Sequence, residues 1–233
     1  MHVVVNAAES VDGKLASRER EQLRISGPAD FARVDRLRAS VDAVMVGVET
    51  VLADDPSLTL DDDSLVSERI DAGDPPHPAR VVADSHARTP PDATLLDDAA
   101  DSYVLVCEET PPEQIEAIEA AGGSTVVAGE NRVDLPAAFD ELESRDITSV
   151  MVEGGGELIF SLFAAGLVDD LRVYVGSKII GGRDAPTLAD GEGFVQNFPE
   201  LSLRSVERLD EGVVLEYDVP GVGDARSTNS SGR

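Results

Sequence analysis

Six short apolar runs, most of them set apart by stretches with helical spacing, constrain this 233-residue chain more than any other feature. The runs are Val3–Ala7, Ala43–Gly47, Arg80–Asp84, Tyr103–Cys107, Ser124–Ala128 and Ser149–Val152. Each is nearly continuous in apolar residues, the pattern of strands buried on both faces. Between several of them lie helical patterns. Ser26-Gly27-Pro28 opens a helix carrying Phe31, Val34 and Leu37, with the proline in its first turn. Pro112–Ala121 carries Ile115 and Ile118, and Leu135–Ser144 carries Phe139 and Leu142. Residues 157–166 place Leu158, Ile159, Leu162 and Phe163 on one face, with Gly166 as the stop. Strands alternating with helices predict a mostly parallel central sheet flanked by crossover helices. Three more strands, Asp170–Lys178, Leu203–Leu209 and Val213–Val219, are joined only by loops, and Asp210-Glu211-Gly212 reads as a hairpin turn. The α/β sheet is therefore expected to be mixed, with an antiparallel C-terminal edge. Residues 61–79, acidic and rich in proline, read as a long surface loop. The stretch 221–233 has no periodicity and reads as a disordered tail, leaving one domain over residues 1–220.

Composition excludes several classes of function. No apolar run reaches the 18 residues or so of a membrane span, and no signal peptide is visible, so a cytoplasmic protein with no membrane partner is expected. The single cysteine, Cys107, excludes an internal disulfide and a multi-cysteine zinc site, and no metal is expected. Forty-six acidic residues against nineteen basic ones give a net charge of −27. Only Lys14 and Lys178 are lysines; seventeen of the nineteen bases are arginine. Acids spread among good apolar segments indicate a folded domain with an acidic surface, similar to proteins of salt-loving organisms, where salt screens self-repulsion. A nucleic-acid partner is disfavoured, because phosphate backbones call for clustered cations.

Four segments carry chemistry. In the first, the run Val150–Val152 ends in Glu153, three glycines follow (Gly154, Gly155, Gly156), and a helix begins. Strand, glycine turn and helix start bring bare backbone N–H groups up to phosphate. Three adjacent glycines are conformationally expensive for a plain turn, which favours a ligand site. The second is Ser10-Val-Asp12-Gly13-Lys14, just past the first strand. A lysine retained in a chain that otherwise uses arginine points to a compact ammonium needed for chemistry. The third is Gly47-Val-Glu49-Thr50-Val-Leu-Ala-Asp54-Asp-Pro56, where Thr50 offers a hydroxyl and Asp54 an acceptor. The fourth is Val82-Ala83-Asp84-Ser85, running into Arg88. Each lies at or near the C-terminal end of an expected strand, where open α/β sheets bind ligands. The ordinary dinucleotide fingerprint is absent: Gly221-Val-Gly223 lies in the tail, after no strand–helix turn.

Taken in order, these segments, with Leu58-Thr59 and Ile180-Gly-Gly-Arg-Asp-Ala-Pro186, resemble the riboflavin-pathway reductase family, and more narrowly its archaeal pyrimidinone 5′-phosphate reductases. The likeness runs in register from residue 2 to about 219. It implies a dihydrofolate-reductase-like fold, a homodimer, and reduction of a phosphorylated ribosylaminopyrimidine with NADPH, NADH being the other nicotinamide. It places Thr50, Asp54, Val82, Ala83, Asp84, Ser85, Glu153, Gly154, Gly155 and Gly156 on cofactor-binding positions. Lys14 and Glu153 fall on catalytic positions, with Glu153 as a candidate to orient Lys14. Arg20, Arg24 and Arg183 are candidates for the substrate phosphate, and Arg88 for the 2′-phosphate of NADPH. The zinc-deaminase motif that accompanies the family in many bacteria is absent. The chain departs from the family pattern at Glu49, where glycine is expected and a carboxylate could repel cofactor phosphates, and at Glu9, where an apolar residue is common. Two other readings stand beside this one: a reductase of the same fold acting on a dihydropterin, and a non-catalytic nucleotide-binding module.

Overall fold

The computed structural model describes residues 1–20 and 23–220; the tail expected to be disordered lies outside them. All nine expected strands form: β1 (His2–Ser10), β2 (Ala43–Gly47), β3 (Ala79–Ala83), β4 (Ser102–Val106), β5 (Ser124–Val127), β6 (Ser149–Gly154), β7 (Asp170–Gly176), β8 (Ser202–Leu209) and β9 (Gly212–Asp218). They make one sheet of order β5-β4-β3-β2-β6-β1-β7-β9-β8. The first seven in that order are parallel, and β9 runs antiparallel to both β7 and β8, so the mixed sheet with an antiparallel C-terminal edge is borne out.

The continuous apolar runs are explained by cores on both faces. Val3, Val5, Met45, Val81, Leu105, Val150 and Val152 point one way. They meet Phe139 and Leu142 of α5 (Leu135–Glu143) and Leu158, Ile159 and Leu162 of α6 (Gly156–Ala164). Val4, Val44, Val46, Val82, Val104, Val106 and Met151 point the other way. There they pack on Leu37 of α1 (Pro28–Ala39), Val48 and Val51 of α2 (Val48–Asp54) and Ile118 of α4 (Pro112–Ala120). Strand side chains alternate between faces, so only helices on both sides remove such runs from water.

Helix α1 starts where the Ser-Gly-Pro signal placed it, but Ser26 is not its cap: its hydroxyl donates to Asp30 at 2.6 Å. The first-turn amide of Asp30 instead donates to Asp210 in the β8–β9 turn at 3.0 Å. Gly27 permits this, since a Cβ there would lie 2.4 Å from the Asp210 carboxyl carbon. Phe31, expected on the buried stripe with Leu37, is 52% exposed; Arg24 lies over its ring at 5.7 Å.

The segment 61–79 is a correction. Instead of a continuous loop it contains α3 (Asp63–Ala72), which stacks on α1. Local capping starts and stops it: Asp62 accepts from the Ser64 amide, and Gly73 takes the left-handed conformation. Its low apolar content hid it, because what docks it is a buried arginine. Arg69 donates to the carbonyls of Pro75 (2.9 Å), Ala39 (2.8 Å) and Val41 (3.0 Å), closing the frayed end of α1 onto α3. Arg69→Ala removes the partner of three carbonyls, of which that of Val41 is in a buried contact, and the expected loss is about 1–3 kcal/mol of folding stability. Guanidinium denaturation should show a lower midpoint at unchanged slope; an unchanged midpoint would refute the role.

Candidate active site

The C-terminal ends of β1, β2, β3 and β6 open into one cleft of about 1260 Å³. Because β2, β6 and β1 are neighbours in the sheet, the loop after β1 and the glycine turn after β6 are brought together. Leu15 and Ala16 from the first, and Glu153 to Gly156 from the second, line the same cavity. Gly47 lines it from the end of β2, Val48 to Thr50 and Asp54 from α2, Ala83, Ser85 and Arg88 from the end of β3 and the loop after it, and Asn131 to Val133 from the β5–α5 loop.

The glycine triplet is a close-packed joint as well as an open approach. Gly155 has φ of +92°, and a Cβ on it would lie 3.5 Å from the Gly47 nitrogen. A Cβ at Gly156 would lie 2.6 Å from the Thr187 carbonyl oxygen and 2.7 Å from Asp190 Oδ2. At Gly154 it would stand 3.3 Å from Thr50 Oγ1. The N-cap of α6 is Gly155, which has no side chain to cap the helix, and this leaves its first-turn N–H groups for solvent or an anion at the cleft wall. A glycine cradle, uncapped helix amides and the Thr50 hydroxyl fit a phosphate-bearing cofactor.

Glu153 is held by Arg38, a residue that motif reading missed. Arg38 Nε and Nη2 donate to the two carboxylate oxygens at 2.6 Å each, and Nη1 donates to the Thr59 carbonyl at 2.9 Å. Both side chains are mostly buried. Burial alone would lower the guanidinium's pKa; the hydrogen bonds and charge of Glu153, with Asp35 and Asp61 nearby, outweigh it and hold it above its ordinary value. The sequence reading has Glu153 orienting Lys14; here both of its carboxylate oxygens accept from Arg38. Arg38 had one signal in the sequence, since position 38 falls on the stripe of Phe31 and Val34, where a charge is out of phase.

Lys14 stands one residue behind Leu15, half-buried, with Nζ donating to the Ala185 carbonyl at 3.1 Å. Its loop is stitched to the segment after β7. Leu15 N donates to the Pro186 carbonyl at 2.9 Å and Val11 N to the Lys178 carbonyl at 3.0 Å. Asp12 accepts from the amides of Ile180 (3.0 Å) and Gly181 (2.7 Å) and from Ser10 Oγ (2.7 Å).

The turn after β3 splits by strand alternation. Ala83 and Ser85 line the cleft, whereas Val82 is buried in the core and Asp84 is buried against Thr89. Thr89 N and Oγ1 both donate to Asp84 Oδ2 at 2.7 Å. Ser85 Oγ accepts from the Val133 amide at 3.0 Å, tying the β5–α5 loop to this turn. Asp54 is exposed at the cleft, where partial desolvation pushes its carboxyl above the usual range. Glu49 also lines the cleft, its carboxylate accepting from Arg88 Nη1 at 2.6 Å. Burial likewise pushes the carboxyl of Glu9 up, beside Val175 of β7. Of the arginines considered for substrate phosphate, Arg20 and Arg24 line the cleft and Arg183 does not. Arg132 and Asn131, on the cleft wall, had no sequence signal, because nothing in the chain says that the β5 edge reaches this cavity.

Sheet order, helices on both faces and a cleft at the strand ends define the dihydrofolate-reductase-like class of reductase. The chain belongs to the RibD C-terminal domain family of riboflavin biosynthesis, whose model matches residues 1–215. A relative from Archaeoglobus fulgidus, named 2,5-diamino-6-ribosylamino-4(3H)-pyrimidinone 5′-phosphate reductase, is 44% identical over 92% of this chain and 96% of its own length. A relative of the same name from Methanothermobacter thermautotrophicus is 42% identical over 94% of this chain and 99% of its own. Among solved structures, a pyrimidine reductase-like protein from Corynebacterium diphtheriae superposes with TM-score 0.82 at 18% identity, covering 94% of this chain and 92% of that one. The riboflavin biosynthesis reductase Rib7 of Saccharomyces cerevisiae gives TM-score 0.68 at 21% identity, covering 94% and 90%. A reductase of this family implies a nicotinamide cofactor.

The Asp12 clasp has a pH signature. Hydrogen bonds from Ile180, Ser10 and Gly181 lower its carboxyl from 3.8 to about 2. Its contribution is thus complete above about pH 4, the unfolded carboxylate value, and is lost as pH falls through the folded one. Amide exchange at Ile180 and Gly181, corrected for intrinsic rates, should stay protected at about pH 3 in the wild type and be lost in Asp12→Ala. Equal protection in both would refute the clasp.

Proposed function

We propose that this protein reduces the ribosylamino side chain of 2,5-diamino-6-(ribosylamino)-4(3H)-pyrimidinone 5′-phosphate to a ribitylamino group, with NADPH as the preferred reductant, acting as a cytoplasmic homodimer. The observation that carries the reading is the convergence of the Lys14 loop and the Glu153–Gly156 turn on one cleft, in a chain 44% identical to a relative bearing that reductase name. The acidic surface, at net charge −27, fits a protein adapted to concentrated salt.

In this reading Thr50, Asp54, Ala83, Ser85 and the amides at Gly154 to Gly156 hold the cofactor, and Val82 and Asp84 support the turn from behind. The nicotinamide, when bound, supplies the hydride that reduces the sugar C1′. Opening the ribosylamine ring puts a proton on the departing ring oxygen, with Lys14 as the donor. The nitrogen lone pair meanwhile forms the C=N bond of a protonated imine, which the hydride reduces to the amine. Lys14 is not among the cleft-lining residues; its ammonium donates to the carbonyl of Ala185, and the residues next to both, Leu15 and Pro186, line the cleft. Glu153, fixed on both oxygens by Arg38, keeps lone pairs free to accept from a substrate N–H or hydroxyl. Arg20 and Arg24 offer cations to the substrate phosphate.

The test follows NADPH absorbance in molar salt with the ribosylaminopyrimidine phosphate. Consumption with that substrate supports the proposal. Consumption only with a dihydropterin, or cofactor binding without turnover, overturns it. Lys14→Ala should lower turnover by about 10²–10⁴-fold while leaving NADPH affinity nearly unchanged; full turnover in that variant refutes the proton-donor role.

A further inference from the structure

Arg88 sits between two acids at the mouth of the cleft. Its Nη1 donates to Glu49 Oε1 at 2.6 Å, and its Nε lies 3.9 Å from Asp84 Oδ1. Asp84 is fully buried, and among the described residues that oxygen has no hydrogen-bond partner, the other being taken by Thr89. The buried acid therefore draws the guanidinium from behind, and Glu49 covers its forward end. Glu49 comes from the first turn of α2, which follows β2 directly, and Arg88 from the loop after β3, so the pair bridges the segments that leave two adjacent strands. Both side chains are about half exposed, at 55% and 47%, and both line the cleft. An exposed pair of this kind is weak and salt-sensitive. The local charge is one cation against two carboxylates.

We propose that Glu49 is a specificity-determining competitor for Arg88: its carboxylate occupies the guanidinium until a phosphate monoester of the cofactor displaces it. The inference rests on the reductase reading and names how that same site tells a phosphorylated nicotinamide dinucleotide from an unphosphorylated one. A phosphate monoester near neutral pH carries close to two charges and three acceptor oxygens, and it pairs with the arginine fork on two oxygens at once. A ribose hydroxyl has neither and leaves the Glu49–Arg88 pair closed. Discrimination is then set by exchange of one anion for another at Arg88, and Glu49 lowers the affinity only for the ligand whose phosphate must displace it.

The test is binding, measured by calorimetry at low and at molar salt, with 2′,5′-ADP and 5′-AMP as probes and no pyrimidine substrate present. Glu49→Gln removes the competing charge and keeps the side-chain shape. It should tighten 2′,5′-ADP by about two- to fivefold at low salt and leave 5′-AMP unchanged. In molar salt the gain should shrink toward none, because the competing pair is screened. In an Arg88→Ala background Glu49→Gln should have no effect on either probe, a coupling that a merely structural role for Glu49 would not produce. Equal tightening of both probes would make Glu49 a general repulsive charge and overturn the proposal. So would an unchanged 2′,5′-ADP affinity, a gain that survives without Arg88, or no 2′,5′-ADP binding by any variant. Failure of the reductase reading appears separately, as absence of NAD(P)H consumption with the pyrimidine substrate.

Discussion

Seven parallel strands in register are the constraint on which the rest of this molecule depends. Parallel pairing sends every one of those strands in the same direction, so each turn that follows a strand emerges at one edge of the sheet. Residues separated by more than a hundred positions, such as Leu15 and Gly155, then line one cavity without a connection designed to join them. The cores on both faces bury the ladder, and the cleft takes its floor from β2, β6 and β1. The antiparallel hairpin at the far edge contributes differently: through Asp210 it supplies the acceptor that α1 lacks at its own start.

The fold was legible because it rests on burial, and burial writes itself into the chain as periodicity. β2 matches its expected limits, and the other strands differ only at their ends. What the sequence hid rests on polar side chains reaching across the fold. α3 is docked by the three carbonyl contacts of Arg69, and no apolar stripe announces it. Arg38 finds Glu153 across 115 positions, so neither residue predicts the other locally. Phe31 matched the helical period and is exposed, because the face it occupies opens onto the cleft.

The glycine triplet shows how a correct pointer can rest on an incomplete reason. Its cost suggested a ligand, yet Gly156 is needed by the Thr187–Asp190 turn and Gly155 by its positive-φ backbone conformation. Joint and cradle are the same geometry. Packing the 187–190 turn against the start of α6 requires the absence of a Cβ, and that absence also bares the amides. Lys14 is similar: the scarcity of lysine singled it out, while the reach of its ammonium is set by Ala185, on a segment whose position only the three-dimensional clasp at Asp12 reveals.

Two ion pairs in the cleft differ in the property that decides what each can do. Arg38–Glu153 is mostly buried, with side chains 19% and 12% exposed. Its charges have left water, so breaking it strands an unpaired ion and is strongly unfavourable. Arg88–Glu49 is half in solvent, where such pairs are worth about 0.2–1 kcal/mol and are screened by salt. Raising ionic strength therefore acts unequally on one cavity. The inner carboxylate stays fixed in direction, while the outer arginine becomes easier to recruit. In a chain with so large an excess of acid, that asymmetry separates the part of the site that must be rigid from the part that must exchange partners.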